Sequence, residues 1–230
     1  MSFSPLRIFI GHDHRQPVSY NVLQNSILRR SSKPVSITPL CIQQLPIKRV
    51  GLTPFTFTRF LVPYLCDYKG WALFLDLDIL LLDDISKLFD LADNNKAIMV
   101  SKNDVRFEWA SVMLFNCGHL ANTLLTPEYI EKADGLHQIK WCTEDEIGDL
   151  PREWNHLVGY DKRRNDARLI HYTQGVPCFE ETIDSEHVEP WHKEHQNMNH
   201  ARPWLELMGN SVHAADVNGK KVPRYKLNGT

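Results

Sequence analysis

No uninterrupted apolar run reaches the roughly 18 residues that a membrane-spanning helix needs. The longest candidate, around residues 71–82, is short and broken by acid. The opening residues Met1 to Arg7 lack the basic-then-apolar layout of a secretory leader, which points to a cytoplasmic protein without a transmembrane span. Cysteine is scarce, with five scattered residues and no CxxC pair among them. That count argues against a disulfide framework or a zinc knuckle and fits reduced thiols. Charge of one sign is not in excess either, with 26 basic against 28 acidic residues. A nucleic-acid surface is therefore not expected, and any anionic ligand must be held by local features. Internal repeats and low-complexity tracts are absent.

What the chain does have is the stretch Trp71-Ala-Leu-Phe-Leu-Asp76-Leu-Asp78-Ile-Leu-Leu-Leu-Asp83-Asp84. Its apolar run reads as a strand buried on both faces, the kind found in parallel sheets covered by helices. Carboxylates at the end of such a strand are costly to desolvate unless paired or bound to a cation. Asp76 and Asp78 can both reach one hard divalent ion only if the chain bends sharply between them. Such a site leaves coordination positions open for phosphate oxygens, as Mg²⁺ and Mn²⁺ sites usually do. The bland alternative is a strand end carrying two solvated aspartates.

The rest of the sequence alternates strand and helix, as an α/β fold does. Strands are predicted at Arg7–Gly11, Val35–Leu40, Ala97–Ser101, Ser111–Phe115 and Leu169–His171. Helices are predicted from Gln16 to Arg30, from Phe57 to Leu65 with Pro63 weakening its last turn, and after Asp83-Asp84, whose acids complement a helix N-terminus. Residues 187–208 read as a polar helix and the residues from 210 as a loose tail, giving one domain over 1–209 and a tail over 210–230.

Two loops add candidates. Gly11-His12-Asp13-His14-Arg15 directly follows the first strand, at the edge where open α/β sheets bind ligands, although an ordinary polar loop would read the same. His171 closes a later strand, with Gly175 and Pro177 shaping the loop beyond; a lone histidine there is more often structural, and gains weight only because a two-carboxylate site needs further ligands. His187, His192, His195 and His200 suggest zinc by their density, but no acid or cysteine stands ready to complete a tetrahedral set. A solvated helix face is the better reading of that group.

Several motifs in order carry a family resemblance. Phe57-Thr-Arg59-Phe-Leu-Val-Pro63-Tyr, the Asp76-Leu77-Asp78 strand and Asp84-Ile-Ser-Lys-Leu88-Phe89 resemble the core of glycosyltransferase family 8, the glycogenin-like and galactosyltransferase-like enzymes of the GT-A fold. Trp109-Ala-Ser111-Val-Met-Leu-Phe-Asn116, Leu150-Pro-Arg-Glu-Trp154-Asn155 and His171 with Gly175 are similar to further family elements, the first to a bacterial subgroup of that family. The resemblance implies a mixed, mostly parallel sheet flanked by helices. It also implies metal-dependent, retaining transfer of a sugar from a nucleotide-sugar donor, foremost a UDP-sugar, to a glycan-type acceptor.

In that reading Asp76, Asp78 and His171 hold Mn²⁺ or Mg²⁺. Gly11, His12 and Asp13 meet the nucleoside, while Arg59, Leu77 and Gly175 lie along the donor. Ser111, Asn116 and Asn155 line the sugar and acceptor side. Asp145 supplies the carboxylate nearest the reacting sugar and Glu144 holds a donor hydroxyl, unless both lie on an exposed acidic turn, Glu144-Asp145-Glu146. The family lysine beyond the histidine–glycine motif is missing, since Val176, Pro177 and Cys178 follow Gly175, and Trp109 replaces a small polar residue. His12, Arg15, Arg59 or Lys102 would have to compensate for that lysine. Two other classes compete: a catalytically silent nucleotide-sugar or glycan-binding module of the same fold, and a haloacid-dehalogenase-type phosphohydrolase. The latter normally carries its Asp-x-Asp on the first strand, whereas some 70 residues precede it here.

Overall fold

The computed structural model describes residues 4–200, 202, 203, 206 and 207. Strand β1 (Leu6–Gly11) feeds helix α1 (Pro17–Arg30), and the chain returns as β2 (Val35–Leu40) parallel to β1. Helix α1 starts on Pro17, whose missing N–H costs nothing at that position, and ends on Arg29 and Arg30, which complement the helix dipole. Its inner face is Ser19, Val22, Leu23, Ser26 and Ile27, a helical stripe. Ser26 also accepts the Leu81 backbone N–H at 3.2 Å, tying the helix to a strand.

A 3-10 turn (Thr58–Leu61) and a single α turn, α2 (Val62–Leu65), replace the continuous helix expected there. Pro63 opens that α turn rather than weakening its end, because a proline is best tolerated in the first turn. Then follow β3 (Trp71–Leu75), β4 (Ile79–Leu81), α3 (Ser86–Phe89), β5 (Ile98–Val100), β6 (Val112–Asn116), α4 (Pro127–Lys132), β7 (Ile147–Asp149), β8 (His156–Leu157), β9 (Leu169–His171) and α5 (Val188–Met198).

The main sheet has the order β2-β1-β3-β6-β5-β7; β6 runs antiparallel to both neighbours and the other pairs are parallel. A second, three-stranded sheet has the order β4-β9-β8. Ala72, Leu73, Phe74 and Leu75 of β3 are fully buried, as expected of a strand covered on both faces. The apolar run is not one strand, however: it breaks after Leu75 and its second half joins the other sheet. The helix after Asp83-Asp84 is one turn only, with Asp84 Oδ1 accepting the Ser86 N–H at 2.9 Å. Helix α5 stops at Met198, short of the predicted 208, and the tail over 210–230 lies outside the described residues. Among the described residues no helix is long and apolar enough to cross a membrane.

Candidate active site

The break between the sheets builds the site. β3 ends at Leu75, the chain turns through Asp76-Leu77-Asp78, and β4 departs at Ile79. Leu77 is buried and anchors this turn. Antiparallel pairing sets Ile79 opposite His171, and the Tyr172 N–H donates to the Asp78 carbonyl at 3.0 Å, so β9 delivers His171 to the two aspartates. Asp76, Asp78 and His171 each bring one ligand atom to within 4.8 Å of the others.

The charges around this triad are specific. Arg59 Nη1 donates to Asp76 Oδ2 at 3.2 Å, and Nη2 lies 2.9 Å from Oδ1. The same guanidinium donates to the carbonyls of Ala110 and Thr56, which fixes it while it is almost fully buried. His171 Nε2 lies 3.3 Å from Asp78 Oδ1 and Nδ1 lies 3.7 Å from Glu108 Oε2. Burial pushes the Asp76 carboxyl upward, Arg59 opposes it, and Asp78 adds a further upward push. Burial alone would lower the His171 imidazole, but Asp78 chiefly, with Asp76 and Glu108, lifts it to about 9. In the absence of a metal, an imidazolium therefore balances the carboxylates.

The triad fits a hard divalent cation. Asp78 Oδ1, which faces His171 Nε2, is buried without a hydrogen-bond partner, a situation that is rare unless something else satisfies the atom. Two carboxylates and one imidazole suit Mn²⁺ or Mg²⁺ with positions left for phosphate oxygens. A cleft of about 110 Å³ opens over them, lined further by Leu52, Thr53, Phe55, Thr56, Arg59, Phe107, Glu108 and Thr173.

Other expected residues fall in different places. Gly11 follows Ile10, the partner of Leu75 across the β1–β3 pair, so it lies beside Asp76 at the strand ends. A Cβ on Gly11 would sit 2.4 Å from the Phe55 ring, so glycine lets Phe55 pack as cleft wall. His12 is half-buried, edge-on to Tyr20, and Asp13 is buried with its carboxylate held by Arg15. Ser111 and Asn155 meet one step back from the cleft. Asn155 Nδ2 donates to Ser111 Oγ at 3.0 Å, and both side chains donate to the Glu108 carbonyl. Gly175 sits at φ +114, a backbone conformation that requires glycine, in the loop after β9. Lys102 is committed to the Ile147 carbonyl and Arg15 to Asp13, which leaves Arg59 as the expected cation that reaches the cleft.

Three expected residues are not brought there. Asn116 pairs with Trp71, at the far end of β3 from Asp76, and its amide holds the Asn94 and Lys96 carbonyls. Glu144 and Asp145 precede β7, whose first residue is level with Ile98, Phe115 and Ala72 across the sheet. Four residues along β3 and three strands across put them on the order of 20 Å from Asp76. Glu144 is exposed and paired with Arg106 instead.

No family model matches the chain. Protein CDI of Arabidopsis thaliana is 37% identical over 229 residues, covering 85% of this chain and 88% of that protein. The chain belongs to the Protein CDI family. Among solved structures, the WbbM bifunctional glycosyltransferase in its apo form superposes with a TM-score of 0.69 at 17% identity, over 87% of this chain and 50% of WbbM. Glycosyltransferase GlyE of Streptococcus pneumoniae TIGR4 gives 0.60 at 17% identity, over 84% of this chain and 60% of GlyE. Galactosyltransferase LgtC, solved in complex with donor and acceptor sugar analogs, gives 0.58 at 12% identity, over 87% of this chain and 99% of LgtC. This chain thus spans about half the length of WbbM but nearly all of LgtC. The fold of this Protein CDI relative is the GT-A glycosyltransferase fold.

Within that fold, sequence reasoning missed Glu108, Phe55, Thr56, Phe107 and Thr173, all of which line the cleft. They lie in loops and 3-10 turns, where no periodicity marks an inward residue. An acid set between two aromatics, Phe107-Glu108-Trp109, was the available signal for Glu108.

Proposed function

We propose that this chain is a metal-dependent glycosyltransferase of family 8 type, moving a sugar with retention from a UDP-sugar to a glycan-type acceptor. The observation that carries the reading is the convergence of Asp76, Asp78 and His171 in the cleft at the strand ends of a GT-A fold. When bound, Mn²⁺ or Mg²⁺ would act as a Lewis acid on the leaving nucleoside diphosphate.

The chain's own residues do the rest. Arg59 holds Asp76 in place and adds positive charge to the floor of the cleft. Phe55, packed against Gly11, and Phe107 offer apolar walls that exclude water and against which a base or sugar ring can lie. Glu108 stands 3.7 Å from the outer nitrogen of His171, placed to close on it when a metal draws the ring in, the carboxylate–histidine–metal arrangement that fixes ligand tautomer and direction. Ser111 and Asn155 act through Glu108, clamping its backbone from behind. The role first given to Glu144 and Asp145 is dropped because of their distance from the cleft. The phosphohydrolase alternative loses its footing too, because the Asp-x-Asp turn follows the third strand rather than the first.

A panel of nucleotide sugars, assayed by thermal shift and by release of nucleoside diphosphate with and without Mn²⁺, tests the proposal. A UDP-sugar that stabilises the fold and releases UDP only with metal supports it. Stabilisation without release in the presence of any glycan acceptor favours the silent binding module. Glu108→Gln is expected to weaken Mn²⁺ binding roughly 10–100-fold, as loss of a partner behind a ligand histidine does.

A further inference from the structure

A second cluster of ligating side chains lies outside the cleft. His156 opens β8 opposite Ile170, while its neighbour Leu157 pairs with His171. Paired residues share a sheet face and successive residues alternate, so His156 projects to the face of the small sheet opposite His171. There it meets Glu186 and His187, which lead into α5. His156 Nε2 is 3.5 Å from Glu186 Oε2, and His187 Nε2 is 4.0 Å from the same oxygen. One ligand atom from each of the three residues lies within 4.8 Å of the other two. The histidine side chains are 0% and 10% exposed, and that of Glu186 is 34% exposed.

These atoms are otherwise unsatisfied. Both ring nitrogens of His156, Nε2 of His187 and Oε2 of Glu186 are buried without a hydrogen-bond partner. Separations of 3.5 and 4.0 Å are too long for hydrogen bonds. They are close to what a tetrahedral ion requires: bonds of about 2.1 Å set ligand atoms roughly 3.4 Å apart. The backbone holds the group in place. His187 sits in the left-handed region at φ 56, uncommon for a non-glycine residue, and its carbonyl accepts the Tyr172 hydroxyl at 2.7 Å. Asp161 Oδ2 stands 3.8 Å behind His156 Nδ1, and the Leu157 N–H donates to that oxygen at 2.9 Å, so a carboxylate faces the outer nitrogen of this histidine as well.

We propose that His156, Glu186 and His187 form a zinc site, with a water in the fourth position on the partly exposed Glu186 side. Two imidazoles and one carboxylate favour Zn²⁺ over the harder Mg²⁺ and Mn²⁺. The ion clasps the residues before α5 to β8, bracing from behind the sheet that delivers His171. His195, further along α5, is engaged elsewhere, stacking on Trp191 and bonding Asn199.

The site is independent of the cleft, and the test keeps the two apart. Metal-free protein carrying Asp78→Asn, which disables the cleft triad, is titrated with Zn²⁺ by calorimetry, and with Co²⁺ by visible absorption. One Zn²⁺ per chain is expected, together with tetrahedral Co²⁺ bands that lack thiolate charge transfer. Glu186→Gln and His187→Gln, each checked for folding by circular dichroism, are expected to weaken Zn²⁺ by more than roughly tenfold. Absence of Zn²⁺ binding in the Asp78→Asn protein would overturn the proposal without touching the cleft. So would unchanged affinity in both folded variants, or a sulfur-type Co²⁺ spectrum from the cysteines.

Discussion

Arg59 and Asp76 are bound to each other before either is available to a ligand. Both are buried, and the guanidinium also holds two carbonyls, so the pair is a fixed part of the cleft floor. Removing Arg59 strips the buried Asp76 of its hydrogen-bonded cation, and Arg59→Ala should cost about 3–5 kcal/mol of stability, measured by urea unfolding. The pairing also makes Asp76→Asn an impure probe of metal binding, since it unpairs the buried Arg59; Asp78, whose charged neighbour is the candidate ligand His171 itself, is the cleaner position. His171 gives a pH signature. Its folded-state value of about 9 exceeds the ordinary 6.5, so the metal-free fold binds an extra proton between those values. The stabilisation is complete below pH 6.5 and is lost as pH rises through 9. Wild type in chelator should therefore lose more stability than His171→Gln over that window. Mn²⁺ affinity should rise over the same range, because the metal displaces the proton.

At the scale of elements, the site depends on two strands that come from one apolar run and belong to different sheets. Its upper walls are loops rather than strands, and they are pinned through aromatic contact. His137 stacks on Phe107 at 4.7 Å and lies edge-on to Phe60 at 5.2 Å and Phe57 at 5.6 Å. Burial, with Arg59 and Arg49 adding, lowers this imidazole to about 3, so it is neutral in the fold and charges on unfolding below pH 6.5. Stability should fall by up to roughly 1.4 kcal/mol per pH unit from this group as pH drops from 6.5 toward 3. His137→Phe should flatten that part of the profile in acid denaturation. The division between strands and loops also explains what could be read from the sequence. β2 and β9 were legible residue for residue, and β1 and α1 to within one residue, because apolar periodicity marks them. β7 and β8 are short strands with little pattern, and went unread. Glu144 and Asp145 were placed by motif order alone, which does not say at which end of a strand a residue lies.

At the scale of the whole molecule, the described residues set one large sheet beside one small one, with the candidate cleft at the break between them. The fold is shared with glycosyltransferases only 12–17% identical to it, so what is held in common is geometry rather than sequence. The small sheet has a cluster of potential ligands on each face: Asp78 and His171 toward the cleft, and His156 with Glu186 and His187 behind. In the proposed function the cleft triad holds a divalent ion through which a nucleoside diphosphate binds. Calorimetric titration of UDP into wild type and Asp78→Asn, with and without Mn²⁺, tests it most directly. UDP is expected to bind wild type only when Mn²⁺ is present, and not to bind Asp78→Asn, a variant that keeps its fold. Equal UDP affinity in the two proteins, or binding to wild type indifferent to Mn²⁺, would contradict it.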